Sequence, residues 1–212
     1  MAKIAVIVAS VWSDRQGIKV ARWIEKNLLK RNHIVFFIYP LELKLPLLDR
    51  MYKEMFHPSE TLQSLRNQIK EADWYPPVTP EYNRSTSSAL KNILDYFLEE
   101  YYFKPSAIVS YSPGSYGGIN ATQQLRLVFA ELDAPSIPSS FSIPRMHTVF
   151  NNDGKLIDES YDKRVVRFFE EFERYIEALE KRRKIGILIR ESIPIYLLAV
   201  KSNCFKCPYF PL

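Results

Sequence analysis

Short apolar stretches recur along the chain and alternate with longer amphipathic ones. Five of the short stretches predict β-strands, because β-branched and aromatic runs of this length are typical of strands buried on both faces. The predicted strands are Lys3–Ala9, His33–Tyr39, Trp74–Thr79, Ser106–Tyr111 and Pro135–Pro138. Strands that alternate with helices indicate βαβ units and therefore a parallel sheet.

The amphipathic stretches carry apolar residues at three- and four-residue spacing, which predicts helices. Ser59 is a suitable N-cap for the second helix, and Ser87 or Ser88 for the third. The helices are predicted over Arg15–Arg31, from Ser59 to about Glu71, over residues 88–97, over Gly117–Leu132 and over Tyr161–Arg182, with a loop between the second strand and Pro58. Right-handed crossovers then favour an α/β fold, a flavodoxin-like three-layer αβα sandwich with strand order 2-1-3-4-5.

The third predicted strand contains two consecutive prolines, Pro76 and Pro77. Proline has no N–H to donate to a strand ladder and is rare in central strands. Two outcomes are open: a strand shortened to about Val78–Thr79, or a local distortion of the sheet.

Composition places the chain among globular proteins, with 47% apolar and 25% charged residues in 212. Two cysteines do not suggest a disulfide framework, and neither a signal peptide nor a transmembrane run is recognised, so a cytoplasmic location is expected. The net charge of +5 is concentrated at the C-terminus, where residues 181–212 have seven basic residues and one acidic. A near-neutral body argues against a nucleic-acid-binding surface.

These features predict one domain over residues 1–184 and a C-terminal extension over residues 185–212. The extension is expected to be poorly ordered, and an apolar docking segment for a partner is the alternative. Its Cys204 and Cys207 lack the second ligand pair of a structural zinc site, and the three histidines are scattered along the chain, so no metal site is expected.

Three polar loops follow strands one, three and four, where this topology places ligands. The first loop, Ser10–Gly17, offers the hydroxyls of Ser10 and Ser13, the cation of Arg15 and a helix N-terminus, which together suit a phosphate. Ordinary helix capping is the alternative interpretation. The loop matches neither the Walker A nor the GxGxxG pattern, so a nucleoside triphosphate or classical dinucleotide site is not supported.

The second loop, Pro80–Ser88, and the third loop, Ser110–Gly118, add backbone donors and aromatic surface. A tight turn at Pro80–Asn83 can present N–H groups to the edge of a planar ring, and Tyr82 can cover its face. Three glycines in the third loop allow close approach of backbone to such a ring. Taken singly, each loop could be a simple turn.

The order of these segments resembles the NAD(P)H-dependent FMN reductase family over residues 3–180. The matching elements are ASVWSDR at Ala9–Arg15, LELKLPLLD at Leu41–Asp49, TPEYN followed by LKN and Asp at Thr79–Asp95, YSPGSYGG with QLR at Tyr111–Arg126, and FNNDG at Phe150–Gly154.

The resemblance implies a noncovalently bound FMN and a two-electron reductase. The phosphate would be bound by Ser10, Ser13 and Arg15, and the ring by Pro80, Glu81, Tyr82, Asn83, Ser112, Gly114, Ser115 and Gly117. NADPH or NADH would supply hydride, a small acceptor such as a quinone or azo compound would receive the electrons, and no side chain is singled out as catalytic. A homodimer or homotetramer is also implied.

Two alternatives remain at the level of sequence. Trp12 and the paired prolines favour a flavin-free binding or regulatory protein of the same fold, because the family usually has arginine where Trp12 stands. A flavodoxin-type electron carrier is the other, although such carriers are often strongly acidic and residues 1–180 are not.

Overall fold

A computed structural model describes residues 1–185, with no account of the side chains of residues 182, 184 and 185. The predicted extension over residues 185–212 therefore falls almost entirely outside the described residues. Within them, five strands form a parallel sheet in the order β2-β1-β3-β4-β5, as predicted. The strands are β1 (Lys3–Val8), β2 (Ile34–Ile38), β3 (Pro77–Pro80), β4 (Val109–Tyr111) and β5 (Phe141–Ile143).

The described part of the chain has six α-helices: α1 (Gly17–Leu29), α2 (Pro40–Leu43), α3 (Glu60–Glu71), α4 (Ser88–Tyr96), α5 (Ile119–Glu131) and α6 (Ser160–Ile185). Alternate side chains of β1 point to opposite faces of the sheet, as the strand period requires. Ile4, Val6 and Val8 pack with α1 and α6, whereas Ala5 and Ile7 pack with α3, α4 and α5. The result is the predicted three-layer sandwich with two apolar cores.

The paired prolines are accommodated by an interruption rather than by loss of the strand. Trp74 and Tyr75 each form a single bridge, to Ile4 and Ser106 respectively, and regular pairing resumes at Pro77. Both aromatic residues are completely buried. The segment therefore continues as a core element on either side of Pro76, where the ladder lacks a donor.

The fifth strand was predicted at the wrong place. Pro135–Pro138 makes only one bridge, between Ser106 and Ser136, and the strand proper lies at Phe141–Ile143. The Arg126 guanidinium donates to the carbonyls of Ile137 (2.8 Å) and Pro138 (2.5 Å), so these groups do not continue a ladder. The predicted loop before Pro58 also contains the short helix α2, which has proline at its first position.

Two helices on one face of the sheet are capped at their N-termini by serine hydroxyls. Ser59 Oγ accepts from Leu62 N at 3.3 Å, and Ser87 Oγ accepts from Leu90 N at 3.1 Å, which selects Ser87 over Ser88 as the cap of α4. The Ser87 hydroxyl also donates to the Ala9 carbonyl at 2.6 Å, at the end of β1. One hydroxyl therefore both starts α4 and ties it to the central strand.

We expect Ser87→Ala to lower the free energy of unfolding by about 1–3 kcal/mol, because a cap is lost and a buried carbonyl loses its donor. Ser59→Ala is the matched control, since it removes a cap alone and should cost about 0.5–1 kcal/mol. Urea denaturation of both variants measures the difference. Equal destabilisation would show that the bond to Ala9 contributes nothing.

Candidate functional site

The first and second loops meet at the carboxyl edge of the sheet. Ser10 is buried, and its Oγ lies 3.1 Å from the Tyr82 hydroxyl. The Trp12 ring stacks on the Tyr82 ring with centroids 5.2 Å apart and an interplanar angle of 15°. Since Trp12 keeps 65% of its surface exposed, this aromatic pair forms an outer wall of the site.

Tyr111, the last residue of β4, joins the third loop to the first. Its hydroxyl interacts with the Ser10 side chain and with the Gly17 backbone N–H. A Cβ at Gly17 would lie 2.4 Å from that hydroxyl, so the tyrosine requires glycine at this position. Burial raises the pKa of the Tyr111 hydroxyl far above its usual value, so the group stays protonated. Tyr111 ends the predicted fourth strand, and nothing in the sequence pattern marks it as a site residue.

The second loop contains the tight turn that the sequence predicts. Tyr82 and Ser85 exchange two backbone hydrogen bonds of 2.9 Å, with Asn83 (φ 48°) and Arg84 (φ 68°) between them. Two central residues with positive φ define a type I′ turn. Among the described residues, the N–H groups of Asn83 and Arg84 find no acceptor. They are available to a ligand at the tip of the turn.

Glu81 connects the second loop to the start of α5. Its carboxylate accepts from the backbone N–H of Asn120 (2.9 Å), the Asn120 amide (3.0 Å) and the N–H of Ala121 (3.4 Å). Its own N–H donates to the Tyr111 carbonyl at 3.2 Å. Both polar ends of Glu81 therefore bind other parts of the protein, which makes it a positioning residue.

The third loop is held by a segment that the sequence analysis missed. Arg145 N donates to the Gly114 carbonyl at 2.9 Å, and Met146 N donates to the Ser112 carbonyl at 3.1 Å. Gly114 and Ser115 remain exposed at the tip, whereas Gly117 (φ 63°) is buried against Pro144. The exposed backbone of Gly114 and Ser115 therefore forms a rim that a planar ligand can approach closely.

The helices that start at this edge differ in how their N-termini are satisfied. Ser87 caps α4, and Glu81 places a carboxylate on α5. Helix α1 has no side-chain cap and no acidic residue in its first turn. The Gly17 N–H binds the uncharged Tyr111 hydroxyl and Lys19 N donates to the Gln16 carbonyl at 3.0 Å, so the positive dipole end of α1 remains suited to an anion.

The side chains of the first loop surround that N-terminus. Ser13 is exposed, and Arg15 is half-buried and close enough to Tyr39 and Tyr111 to interact electrostatically with their hydroxyls. All three predicted loops thus lie together, through the contacts of Ser10 with Tyr82, of Tyr111 with Ser10, and of Glu81 with Tyr111 and α5. Trp12 and Tyr111 are the additional members that the structure brings in.

A planar cofactor with a phosphate at one end fits this arrangement of donors. The sequence pattern of the NADPH-dependent FMN reductase family matches residues 2–148. The chain belongs to this family. The matched residues include β1 to β5 and all three loops, so the site just described lies within the part of the chain that the family pattern covers.

Individual relatives of this FMN reductase agree with the family match. A quinone reductase of Pseudomonas putida is 31% identical over 171 residues, covering 74% of this chain and 86% of that protein. An NADPH azoreductase of a Bacillus species is 34% identical over 102 residues, covering 48% of this chain and 56% of the other. FerB, a flavoenzyme NAD(P)H:acceptor oxidoreductase of Paracoccus denitrificans, has the same fold, with a TM-score of 0.67, 23% identity and coverage of 85% and 98%.

Glu81→Ala should lower the free energy of unfolding by about 1–3 kcal/mol, because three N–H donors lose a charged acceptor. Glu81→Gln keeps one acceptor oxygen without the charge and should lie between the alanine variant and the native chain. Thermal unfolding of the three proteins measures the order. A Glu81→Ala protein as stable as the native chain would exclude the positioning role.

Proposed function

We propose that this protein is an FMN-dependent NAD(P)H oxidoreductase that passes two electrons through the bound flavin to a quinone or azo compound. The N-terminus of α1, which has no side-chain cap, carries the proposal, since the hydroxyls and the cation of the first loop precede it within the residues that the family pattern matches. The relatives include a quinone reductase and an azoreductase, and these activities indicate the class of acceptor.

The phosphate of FMN would be held by the first loop. Ser10 and Ser13 would donate hydroxyl hydrogen bonds, Arg15 would donate a charge-assisted one, and the first N–H groups of α1 would complete the set. Helices α4 and α5 already have acceptors at their N-termini, so neither competes for this anion. This difference supports the assignment of the phosphate to α1.

The flavin ring would lie between the second and third loops. Asn83 would donate a backbone N–H from the turn, and Tyr82 would cover one edge of the ring, with Pro80 beneath it at the end of β3. Gly114 would offer its backbone at the rim. The other proposed contacts of the third loop are Ser112, Ser115 and Gly117. Glu81 would act by holding the two loops at a fixed separation.

When bound, FMN supplies the hydride chemistry. The residues of this chain bind and orient it, and none needs to act as an acid–base catalyst on a substrate. Burial keeps the Tyr111 hydroxyl protonated, while its oxygen accepts from the Gly17 N–H and contacts the Ser10 side chain. NAD(P)H and the acceptor would use the open side of the ring in turn, because both must reach the same atoms.

A flavin-free protein of this fold is the second candidate. Trp12 favours it, because its indole covers Tyr82 at the position where the ring of the cofactor would be approached. Under this alternative the stacked pair would be permanent. A measurement of flavin content separates the two candidates.

We also propose a homodimer in the cytoplasm. Large apolar side chains are exposed in the segments that follow β1, β2 and β4, namely Trp12 (65%), Leu47 (83%), Phe56 (91%) and Tyr116 (76%). Exposed apolar groups of this size support a subunit contact. A chain with two cysteines is compatible with a reducing compartment.

The purified protein should be yellow, with an absorption band at about 450 nm from bound FMN. Addition of NADPH or NADH should bleach the band without a further protein, and a quinone should restore it. Protein that stays colourless after incubation with FMN would favour the flavin-free candidate. Flavin that NAD(P)H reduces only through another protein would favour the electron carrier.

Arg15→Ala should weaken FMN binding by about 1.5–3 kcal/mol, because a charge-assisted contact with the phosphate is lost. This corresponds to a roughly 10- to 150-fold higher Kd in a flavin fluorescence titration. Riboflavin, which lacks the phosphate, should bind both proteins equally. Lys26→Ala, a change in the last turn of the same helix, is the matched control and should leave the Kd unchanged.

A further inference from the structure

Trp12 differs from the other two tryptophans of the chain in its exposure to solvent. Trp23 and Trp74 are 7% and 0% exposed, whereas Trp12 is 65% exposed. An indole left in water forgoes the free energy that its burial would contribute. Tryptophan is enriched at surfaces that bind other molecules, because it offers a large and rigid contact area. The position of Trp12 in the first loop therefore indicates a contact with a bound molecule.

Two contacts hold Trp12 in place before anything binds. Its ring stacks on the Tyr82 ring, with 5.2 Å between the centroids and 15° between the planes. Its carbonyl accepts from Arg15 N at 3.2 Å. Tyr82 is fixed in turn, because its hydroxyl lies 3.1 Å from the Oγ of buried Ser10 and its backbone exchanges two bonds with Ser85. A preordered aromatic surface loses little conformational freedom when a ligand stacks on it.

The stack on Tyr82 occupies one face of the indole. Within the part of the chain that the structure describes, no second aromatic ring and no lysine or arginine cation lies over Trp12. The opposite face is therefore open to solvent, in agreement with the exposure of the side chain. An open, flat, apolar face suits a planar aromatic molecule.

We propose that Trp12 determines the acceptor preference of this protein by stacking on a fused-ring quinone. This inference rests on the proposed function, in which Tyr82 covers one edge of the flavin ring. The indole on Tyr82 would then border the space that the acceptor enters. A quinone ring is electron-poor, because its two carbonyl groups withdraw electron density, whereas the face of an indole is electron-rich. Face-to-face stacking of these two rings is therefore favourable, although two electron-rich rings avoid it.

Fused-ring quinones gain more from this contact than single-ring quinones do. The second ring of a naphthoquinone covers more of the indole and removes more apolar surface from water. The dihydronicotinamide ring of NAD(P)H is electron-rich in the form that donates hydride, so it lacks the electronic match with Trp12. The acceptor, rather than the hydride donor, is therefore the ligand that the indole distinguishes.

Steady-state kinetics with two quinones at saturating FMN and NAD(P)H test this preference. Menadione, a methylated naphthoquinone, and toluquinone, the corresponding benzoquinone, differ by one fused ring. Trp12→Ala should lower kcat/KM for menadione about five- to tenfold, mainly through KM, and should change the value for toluquinone less than about twofold. Trp12→Phe keeps a smaller ring and should lie between the alanine variant and the native chain. Leu127→Ala, at a residue 69% exposed on α5, is the matched control and should leave the ratio of the two values unchanged.

Tryptophan fluorescence measures the stacking without turnover. Menadione added to the oxidised protein, with no NAD(P)H present, should quench the emission of the native chain saturably, because a stacked quinone accepts an electron from an excited indole. Trp12→Ala should lose this saturable component, since Trp23 and Trp74 are buried. Quenching of equal amplitude in the two proteins would overturn the inference.

Three further results would overturn the inference and leave the proposed function intact. They are an unchanged quinone ratio in Trp12→Ala, an equal loss with both quinones, and an altered oligomeric state of that variant in gel filtration. The second result would mean that Trp12 acts through the flavin or NAD(P)H, and the third that it belongs to a subunit contact. A native protein that reduces neither quinone with NAD(P)H would overturn the proposed function itself. Thermal unfolding of each variant confirms that all are folded during the assays.

Discussion

The first N–H groups of every helix need acceptors from outside the helix, and the architecture of this site follows from how that need is met. At the carboxyl edge of the sheet, α4 uses the Ser87 hydroxyl and α5 uses the Glu81 carboxylate. Both acceptors belong to the second loop, so satisfying two helices also fixes that loop between its neighbours. Helix α1 has neither a side-chain cap nor an acidic residue in its first turn; its Gly17 N–H binds the uncharged Tyr111 hydroxyl, and its positive end suits an anion.

Most of the architecture could be predicted from the chain, because buried strands and amphipathic helices leave different apolar periods. The strand order followed from connectivity and handedness alone. The fifth strand could not be placed, since Pro135–Pro138 looks like a strand by composition while its carbonyls bind Arg126 from α5. The segment around Pro76 stays extended although proline has no N–H to donate to the sheet. It does so because Trp74 and Tyr75 are buried in the two cores.

The sequence predicted which loops form the candidate site, but it did not predict the contacts that individual residues make there. Sequence spacing places Ser10, Tyr82 and Gly114 after successive strands, but the bond between the Ser10 and Tyr82 hydroxyls is a tertiary contact without a local pattern. Glu81 is predicted to contact the ring, and the structure adds a role that sequence spacing does not indicate: its carboxylate accepts from the start of a helix 39 residues away in the chain. Tyr111 gave no signal, because its importance comes from a contact with a glycine of a distant loop.

The contact between Tyr111 and Gly17 limits the substitutions that these two positions can accept. The Tyr111 hydroxyl occupies the volume that any side chain at position 17 would need, and it also binds the backbone there. Position 17 cannot change alone, because a larger residue there becomes tolerable only after the tyrosine at 111 has been replaced by a smaller residue. Positions 17 and 111 are therefore expected to vary as a pair among descendants of this sequence, and the substitution at 111 should come first.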